Sequence, residues 1–169
     1  LAIIAEDVAR LDRLISDISD ASRIDAELSR AATEAVDVTP ILAVLVEIDE
    51  ATRREDSPRL VLTEPRAPAV VRAVEDRLVQ VLRNLIGNAQ SFSPPGGRIT
   101  LAAAPVGVEI EISVEDEGPG IPEAKLESIF DRFYSERPQN EYFGQHSGLG
   151  LSISRQIVAA LKGRITAEN

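Results

Sequence analysis

The chain has 169 residues, of which 44% are hydrophobic and only 4% aromatic, and its formal net charge at pH 7 is −10. This length suffices for one compact domain with a short appendage, built on a core of aliphatic side chains. The acidic balance argues against a nucleic-acid surface, and the absence of cysteine together with a single histidine excludes disulfides, thiolate metal sites and histidine-rich metal clusters.

Residues 2–28 show the pattern of one helix. Apolar side chains recur at alternating spacings of four and three, at Ile4, Val8, Leu11, Ile15 and Ile18. This phase is typical of a coiled-coil or four-helix-bundle arm, whose apolar stripe would be exposed in a monomer, so it predicts a homodimer. An ordinary surface helix packed on its own domain is the alternative.

No apolar run approaches the roughly 20 residues of a transmembrane helix. The sequence contains no methionine and begins within the helical pattern. We therefore expect the chain to come from a longer protein, in which any membrane segment lies elsewhere.

Residues 29–97 predict two helices and three short strands. The strands are expected at residues 35–38, 59–63 and 69–72. The first helix is expected to start with Thr39 as N-cap and Pro40 at its first position, and to run to about residue 53. The second helix should span residues 75–90, with four residues facing inward: Leu78, Val81, Leu82 and Leu85.

The remaining residues predict a hairpin, a long loop and a last helix. Two strands, 98–103 and 108–115, are expected to be joined by a turn at 105–107. Apolar and polar residues alternate from Val108 to Val114, which predicts that one face of the second strand is buried. A short helix near 123–130, a helix over 148–162 and a strand from residue 164 should follow. The predicted fold class is α+β, a two-layer α/β sandwich with a mixed sheet and helices on one face, preceded by a long N-terminal helix.

Asn84 and Asn88 lie four residues apart on a predicted helix, so their amides project from one face. Two neighbouring amides on a packed face need polar partners, because an unsatisfied buried amide costs about 1–3 kcal/mol. An amide oxygen is also a suitable ligand for Mg²⁺. Alone, the pair is better explained as part of the helix surface, but the glycine motifs downstream favour a binding site.

Asp116 directly follows a predicted strand and begins the run Asp-Glu-Gly-Pro-Gly-Ile. Gly118 and Gly120 permit close backbone approach, and the carboxylate can accept a hydrogen bond from a ligand donor such as the exocyclic amine of adenine. In isolation, a plain turn capped by aspartate is the commoner explanation.

Gly148-Leu149-Gly150-Leu151 leads from the loop into the last helix, whose first N–H groups and dipole favour a di- or triphosphate. Upstream, Phe130 and Phe133 are candidates to anchor a lid over residues 135–147, with Arg132 reaching a phosphate. A hydrophobic contact beside a solvated arginine is the alternative. The single histidine, His146, is interpreted as a lid residue.

Taken in order, these motifs resemble those of sensor histidine kinases. Residues 84–89 resemble the N box, 116–121 the G1 box, 130–133 the F box and 148–151 the G2 box, and the match covers about residues 36–168. Residues 1–28 resemble the second helix of the dimerisation and histidine-phosphotransfer domain. The amino-acid sequence of residues 132–138 and 145–148 is similar to that of envelope- or acid-sensing kinases of alphaproteobacteria.

The resemblance implies a Bergerat-type ATP-binding domain over residues 31–169, after part of the phosphotransfer helix in residues 1–30, with ATP and Mg²⁺ as cofactors. Asn84, Asn88 and Arg132 would be catalytic, with Asn88 as the metal ligand. Asp116 would recognise adenine. The implied nucleotide-binding residues are Asn84, Asn88, Phe92, Asp116, Gly118, Gly120, Ile121, Arg132, Ser147, Gly148, Leu149, Gly150 and Leu151.

The implied activity is transfer of the γ-phosphoryl group of Mg-ATP to a histidine outside this sequence, in two-component signalling. The implied partners are a second copy of the chain and a response regulator, and the implied location is the cytoplasmic side of an inner-membrane sensor. Two departures stand out: Ser91 replaces a lysine common in relatives, and the phosphorylated histidine and a final strand are missing. A GHKL-type serine kinase or ATPase, or a nucleotide-binding scaffold without turnover, are the alternatives.

Overall fold

The computed structural model describes residues 30–65, 67–134 and 148–169. The predicted helix over residues 2–28, the predicted lid over 135–147, Ser147 and His146 lie outside the described residues. In chain order the elements are β1 (Glu34–Asp37), α1 (Val38–Thr52), β2 (Arg59–Leu62), β3 (Val70–Ala73), α2 (Glu75–Phe92), β4 (Arg98–Val106), β5 (Glu109–Asp116), two 3₁₀ turns (Glu123–Lys125 and Ser128–Phe130) and α3 (Gly150–Ala160).

The described residues form two compact units, of which the first is Thr33–Gly120. Here β4 pairs in parallel with β2 and antiparallel with β5, while β1 and β3 form a separate antiparallel pair. The helix α1 packs on β2 and β4, and α2 packs on β4 and β5. Leu60, Ile99 and Leu101 share one face of the sheet and are fully buried, so the predicted α+β class with a mixed sheet covered on one face is confirmed.

The start of α1 differs from the prediction. Asp37, not Thr39, is the N-cap, because its Oδ1 accepts a hydrogen bond from the Thr39 N–H at 3.0 Å. The Val38 N–H donates to the Ala69 carbonyl at 2.9 Å. Pro40 therefore sits in the first turn of the helix, where its missing N–H would have had no partner within the helix.

The helix α2 extends two residues further than predicted and ends at Phe92. Five residues face the core: Leu78, Val81, Leu82, Ile86 and Ala89. Leu85, expected to face inward, is half-buried, because the buried stripe continues through Ile86. Glu75 and Asp76 in the first turn interact favourably with the helix dipole.

The β4–β5 hairpin corrects two predictions. β4 continues through Pro105 to Val106, and the turn lies at Gly107 and Val108. A proline is tolerated there because β2 pairs only with the first four residues of β4, from Arg98 to Leu101. Val108, expected on the buried face, occupies the turn and is fully exposed, and the apolar residues that follow it in β5 are half-buried.

The second unit comprises residues 30–32 and the described part of Ile121–Asn169. The short helix expected near residues 123–130 is instead the two 3₁₀ turns, and α3 starts two residues later and ends two residues earlier than predicted. The strand expected from residue 164 is absent among the described residues. The side chain of Asn169, near the end of this segment, instead forms two hydrogen bonds with the backbone of Ile121.

Candidate functional site

The two asparagines of the predicted metal and phosphate site lie one turn apart on α2, and both are half-buried. Asn84 interacts with a neighbouring group, whereas no described residue hydrogen-bonds to the side chain of Asn88. A half-buried amide without a protein partner retains its oxygen for a ligand. The chemistry of Asn88 therefore fits a hard cation such as Mg²⁺.

Gly87 separates the two asparagines and gives a direct test of the space around them. A methyl group added at Gly87 would have no atom within 4 Å apart from its chain neighbours and the nearby backbone of its own helix. We predict that Gly87→Ala raises the free energy of unfolding by about 0.5–1 kcal/mol, because alanine loses less conformational entropy in a helix. Denaturant unfolding measures the change, and a lower stability would show that the site is more crowded than the structure indicates.

Asp116, the last residue of β5, forms a tight turn with Gly118. Its Oδ1 accepts a hydrogen bond from the Gly118 N–H at 2.7 Å, which fixes the carboxylate. Oδ2 has no hydrogen-bond partner among the described residues and is available to a ligand donor. The neighbouring Glu117 accepts from the Arg98 N–H at 3.0 Å and so anchors the same turn to the start of β4.

Gly118 also brings this turn against the end of α2. A Cβ at this position would lie 3.0 Å from the Phe92 carbonyl oxygen and 2.5 Å from Asp116 Oδ1. A side chain at this position would have to displace the Asp116 carboxylate and press on the end of the helix, so glycine favours this close approach. Within the unit Thr33–Gly120, the predicted adenine-recognising carboxylate thus lies next to the helix that carries both asparagines.

In the second unit, the F-box residues are joined to the start of the G2 box. The Phe133 N–H donates to the Gly148 carbonyl at 3.1 Å. Both residues have a left-handed φ, 63° for Phe133 and 70° for Gly148. A Cβ at Gly148 would lie 3.0 Å from the Tyr134 carbonyl oxygen, a tight contact, so both the space and the left-handed φ favour glycine there. Arg132 is exposed and has no hydrogen-bond partner in the described part of the chain.

The predicted anion site lies at the N-terminus of α3, where Gly150 and Leu151 are the first two residues. Leu149 is the N-cap, and its apolar side chain, which is buried, cannot cap the helix. Only the backbone of Leu149 is therefore suited to contact a ligand. The hydroxyl groups of Ser152 and Ser154 are used internally, because they donate to the carbonyls of Leu149 and Gly150 at 2.8 and 2.9 Å.

Ile121, predicted to line the base, is half-buried and fixed by Asn169. Its N–H donates to Asn169 Oδ1 at 2.7 Å, and its carbonyl accepts from Asn169 Nδ2 at 2.6 Å. Gly120, just before it, has a left-handed φ of 75°. Sequence reasoning did not find Asn169, because no motif links residues that are 48 positions apart.

Comparison with known proteins identifies the family of the chain. The model for histidine kinase-, DNA gyrase B- and HSP90-like ATPases matches residues 73–169, more than half of the sequence. The chain belongs to this ATPase family. The resemblance to histidine kinases drawn from the boxes is therefore confirmed at the level of the family.

Three matches connect this ATPase domain more narrowly to sensor kinases. The chain is 49% identical to the sensor protein ChvG of Rhizobium meliloti (strain 1021) over 174 residues, which cover 99% of this chain and 30% of that protein. The structure matches histidine kinase ThkA in complex with the response regulator protein TrrA, with a TM-score of 0.73 and 26% identity, over 99% of this chain and 46% of that chain. It also matches full-length ShkA in complex with AMPPNP, with a TM-score of 0.69 and 28% identity, over 92% and 32% of the two chains.

The match to ChvG confirms the similarity to the alphaproteobacterial subgroup. The chain spans about a third of the length of ChvG from Rhizobium meliloti and of the other curated relatives compared with it. Within the described residues of this ATPase domain, no helix has both the length and the apolarity required to cross a bilayer. The described residues also contain no group of three or more His, Cys, Asp or Glu side chains able to hold a metal ion.

Proposed function

We propose that this chain is the ATP-binding catalytic part of a sensor histidine kinase, which transfers the γ-phosphoryl group of Mg-ATP to a histidine outside the sequence. The close approach of the Gly118 turn to the end of α2 carries the proposal. It makes an oriented carboxylate, at Asp116, and two helix amides, at Asn84 and Asn88, parts of one packed unit. This combination suits a ligand with a purine amine and a metal-bound phosphate chain.

Asp116 is assigned to the adenine. Because Oδ1 is held by the Gly118 N–H, Oδ2 has a fixed direction and can accept a hydrogen bond from the exocyclic amine. Phe92 and Ile121 are assigned to the lining around the base. The bond pair between Ile121 and Asn169 supports this assignment, because it fixes the backbone of a residue that would contact the base.

Asn88 is assigned to Mg²⁺ and Asn84 to the phosphates. When bound, Mg²⁺ neutralises charge on the phosphate oxygens. The absence of a described partner for the Asn88 side chain supports this role. The chain itself contributes the oxygen ligand and, through the rigid helix α2, its orientation.

Further groups are assigned to the phosphates. The backbone of Gly148, Leu149, Gly150 and Leu151, with Ser147 before them, is assigned to the phosphate oxygens, because a helix N-terminus favours an anion. Arg132 adds a positive charge. This charge matters more here than in relatives with a lysine three residues after the second asparagine, since Ser91 occupies that position.

The phosphoacceptor histidine, a homodimer formed through residues 1–28, a response regulator and an inner-membrane sensor segment belong to the proposed whole protein. The relatives named sensor proteins and the structure of ThkA with its response regulator support this context.

Nucleotide binding tests the first half of the proposal. We expect Mg-ATP at about 100 times its Kd to raise the Tm by roughly 5–10 °C, because a ligand of the native state stabilises by RT ln(1 + [L]/Kd). Differential scanning fluorimetry with Mg-ATP, Mg-GTP and buffer measures it. An equal response to ATP and GTP would contradict the adenine assignment, and no response to either would contradict the pocket.

Transfer tests the second half. Incubation with γ-labelled ATP and a separate helical-hairpin domain bearing the histidine should give acid-labile phosphate on that domain. Acid-stable phosphoserine on a partner would instead indicate a GHKL-type serine kinase. Binding without any transfer by the full-length protein would indicate a nucleotide-binding scaffold.

A further inference from the structure

We infer that Arg155, in the second turn of α3, is a positioning residue for nucleotide phosphates. It connects α3 to residues 127–133, called here the F-box segment. This connection lets Arg132 and the N-terminus of α3 act on the phosphates together. The inference rests on the proposed function. Nothing in the motif pattern pointed to Arg155, which lies after the G2 box.

Three contacts of one side chain define this tie. Arg155 Nη2 lies 3.5 Å from Asp131 Oδ1, and Nη1 lies 3.9 Å from Glu127 Oε2. The guanidinium carbon is 5.8 Å from the centre of the Phe130 ring. Phe130 is buried, so it provides a fixed surface for the cation. All three partners fall within residues 127–131, which immediately precede Arg132.

A second tie holds the other side of Arg132. The hydrogen bond from the Phe133 N–H to the Gly148 carbonyl joins the F-box segment to the residues just before α3. Asp131 is thus held to the second turn of α3, and Phe133 to the approach to its first turn. Arg132 lies between these two anchored residues, and its own side chain is exposed.

The charges explain why an arginine is needed at this place. Glu127 and Asp131 carry two negative charges beside a segment assigned to bind phosphate. Without Arg155, Asp131 would be available to its neighbour Arg132, and both carboxylates would repel an anion. Arg155 engages both, which leaves the positive charge of Arg132 for the ligand.

The geometry also separates this role from direct ligand binding. Arg155 follows Gly150 by five residues, or about 7.5 Å along a helix axis. Its guanidinium group points to the F-box segment, as the three contacts show. The pairs are partly exposed, with side-chain exposure of 45% for Arg155, 94% for Glu127 and 63% for Asp131, so they contribute little to global stability.

The test compares three ligands on Arg155→Gln and Arg155→Lys by isothermal titration in the presence of Mg²⁺. For Arg155→Gln we expect about tenfold weaker ATP binding, the size of one weakened charge-assisted hydrogen bond, and adenosine affinity within about twofold of the unsubstituted protein. ADP should fall between the two. Arg155→Lys should recover much of the ATP affinity, because lysine keeps the positive charge. The recovery should be incomplete, because lysine cannot bridge both carboxylates.

Arg59→Gln is the matched control. It removes another exposed arginine–glutamate pair, Arg59 with Glu50 at 3.2 Å, in the other unit, and should leave all three affinities unchanged. A third variant, Arg155→Gln combined with Asp131→Asn, should regain part of the ATP affinity, because it removes the carboxylate that would otherwise compete for Arg132.

An equal loss for ATP and adenosine in Arg155→Gln would overturn the inference, since that result means general damage to the domain. Unchanged ATP affinity would overturn it as well. If the unsubstituted protein bound none of the three ligands, the proposed function would fail, and that result is distinct from a failure of the role of Arg155.

Discussion

Replacing Asn88 with alanine is expected to weaken Mg-ATP binding on the order of 100-fold, while ATP binding in EDTA changes by less than about threefold. The reason is that Asn88 is the side chain assigned to the metal, and no described residue pairs with its amide. Without this oxygen, a water molecule would take its place on the metal. Water is not held in a fixed position by α2, so the metal would be bound more weakly. Isothermal titration with and without Mg²⁺ measures the two affinities.

A matched control lies on the same helix. Gln90 is also an amide, but its Nε2 donates to Asp49 Oδ1 at 2.8 Å and so serves the packing of α2 with α1. Gln90→Ala should lower the Tm and leave the effect of Mg²⁺ on ATP affinity intact. If Asn88→Ala weakens ATP equally with and without Mg²⁺, Asn88 is not the metal ligand.

Replacing Asp116 with alanine is expected to weaken ATP, ADP and adenosine alike, by about 30- to 150-fold, which corresponds to the roughly 2–3 kcal/mol of a hydrogen bond to a charged group. The loss should not depend on the number of phosphates, because Asp116 is assigned to the base. Competition binding with the three ligands measures it.

Asp116→Asn separates base recognition from the local turn. An asparagine side chain retains an oxygen for the Gly118 N–H, which Asp116 Oδ1 holds at 2.7 Å, so the turn should persist. Its NH₂ group, however, would meet the adenine amine as donor against donor. We expect adenosine to weaken while inosine, which presents an acceptor there, binds relatively better. Unchanged adenosine affinity in both variants would remove Asp116 from the site.

The types of the described elements were largely predictable, and their ends were not. Periodicity correctly indicated α1 and α2, because burial of one helix face imposes a repeat on the sequence. The Thr-Pro sequence favours Thr39 as the N-cap, because this pair often starts a helix. In the structure, Asp37 is the last residue of β1 that pairs with β3, and its side chain caps the helix that follows. Val108 fitted the alternation of a buried strand, yet the hairpin register placed it in the turn.

For the candidate site, the sequence predicted the chemical type of the groups but not the role of each residue. The order and spacing of the boxes in the sequence indicated an ATPase, and the family match to residues 73–169 agrees. Motifs give the chemical type of each group because they are local: an amide pair on one helix face, a carboxylate after a strand, glycines before a helix. The roles of the individual residues remain predictions for the experiments above.

By itself, the sequence determined the family and the α+β class, and it supplied the candidate residues for a magnesium-loaded nucleotide. Tertiary structure alone decided which groups meet: Gln90 with Asp49 across 41 residues, Arg155 with Asp131 across 24, and Asn169 with Ile121 across 48. The physical reason is that a repeat or a motif reports the environment of neighbouring residues. Contacts between distant residues are instead fixed when sheet and helices pack, and no local pattern encodes them.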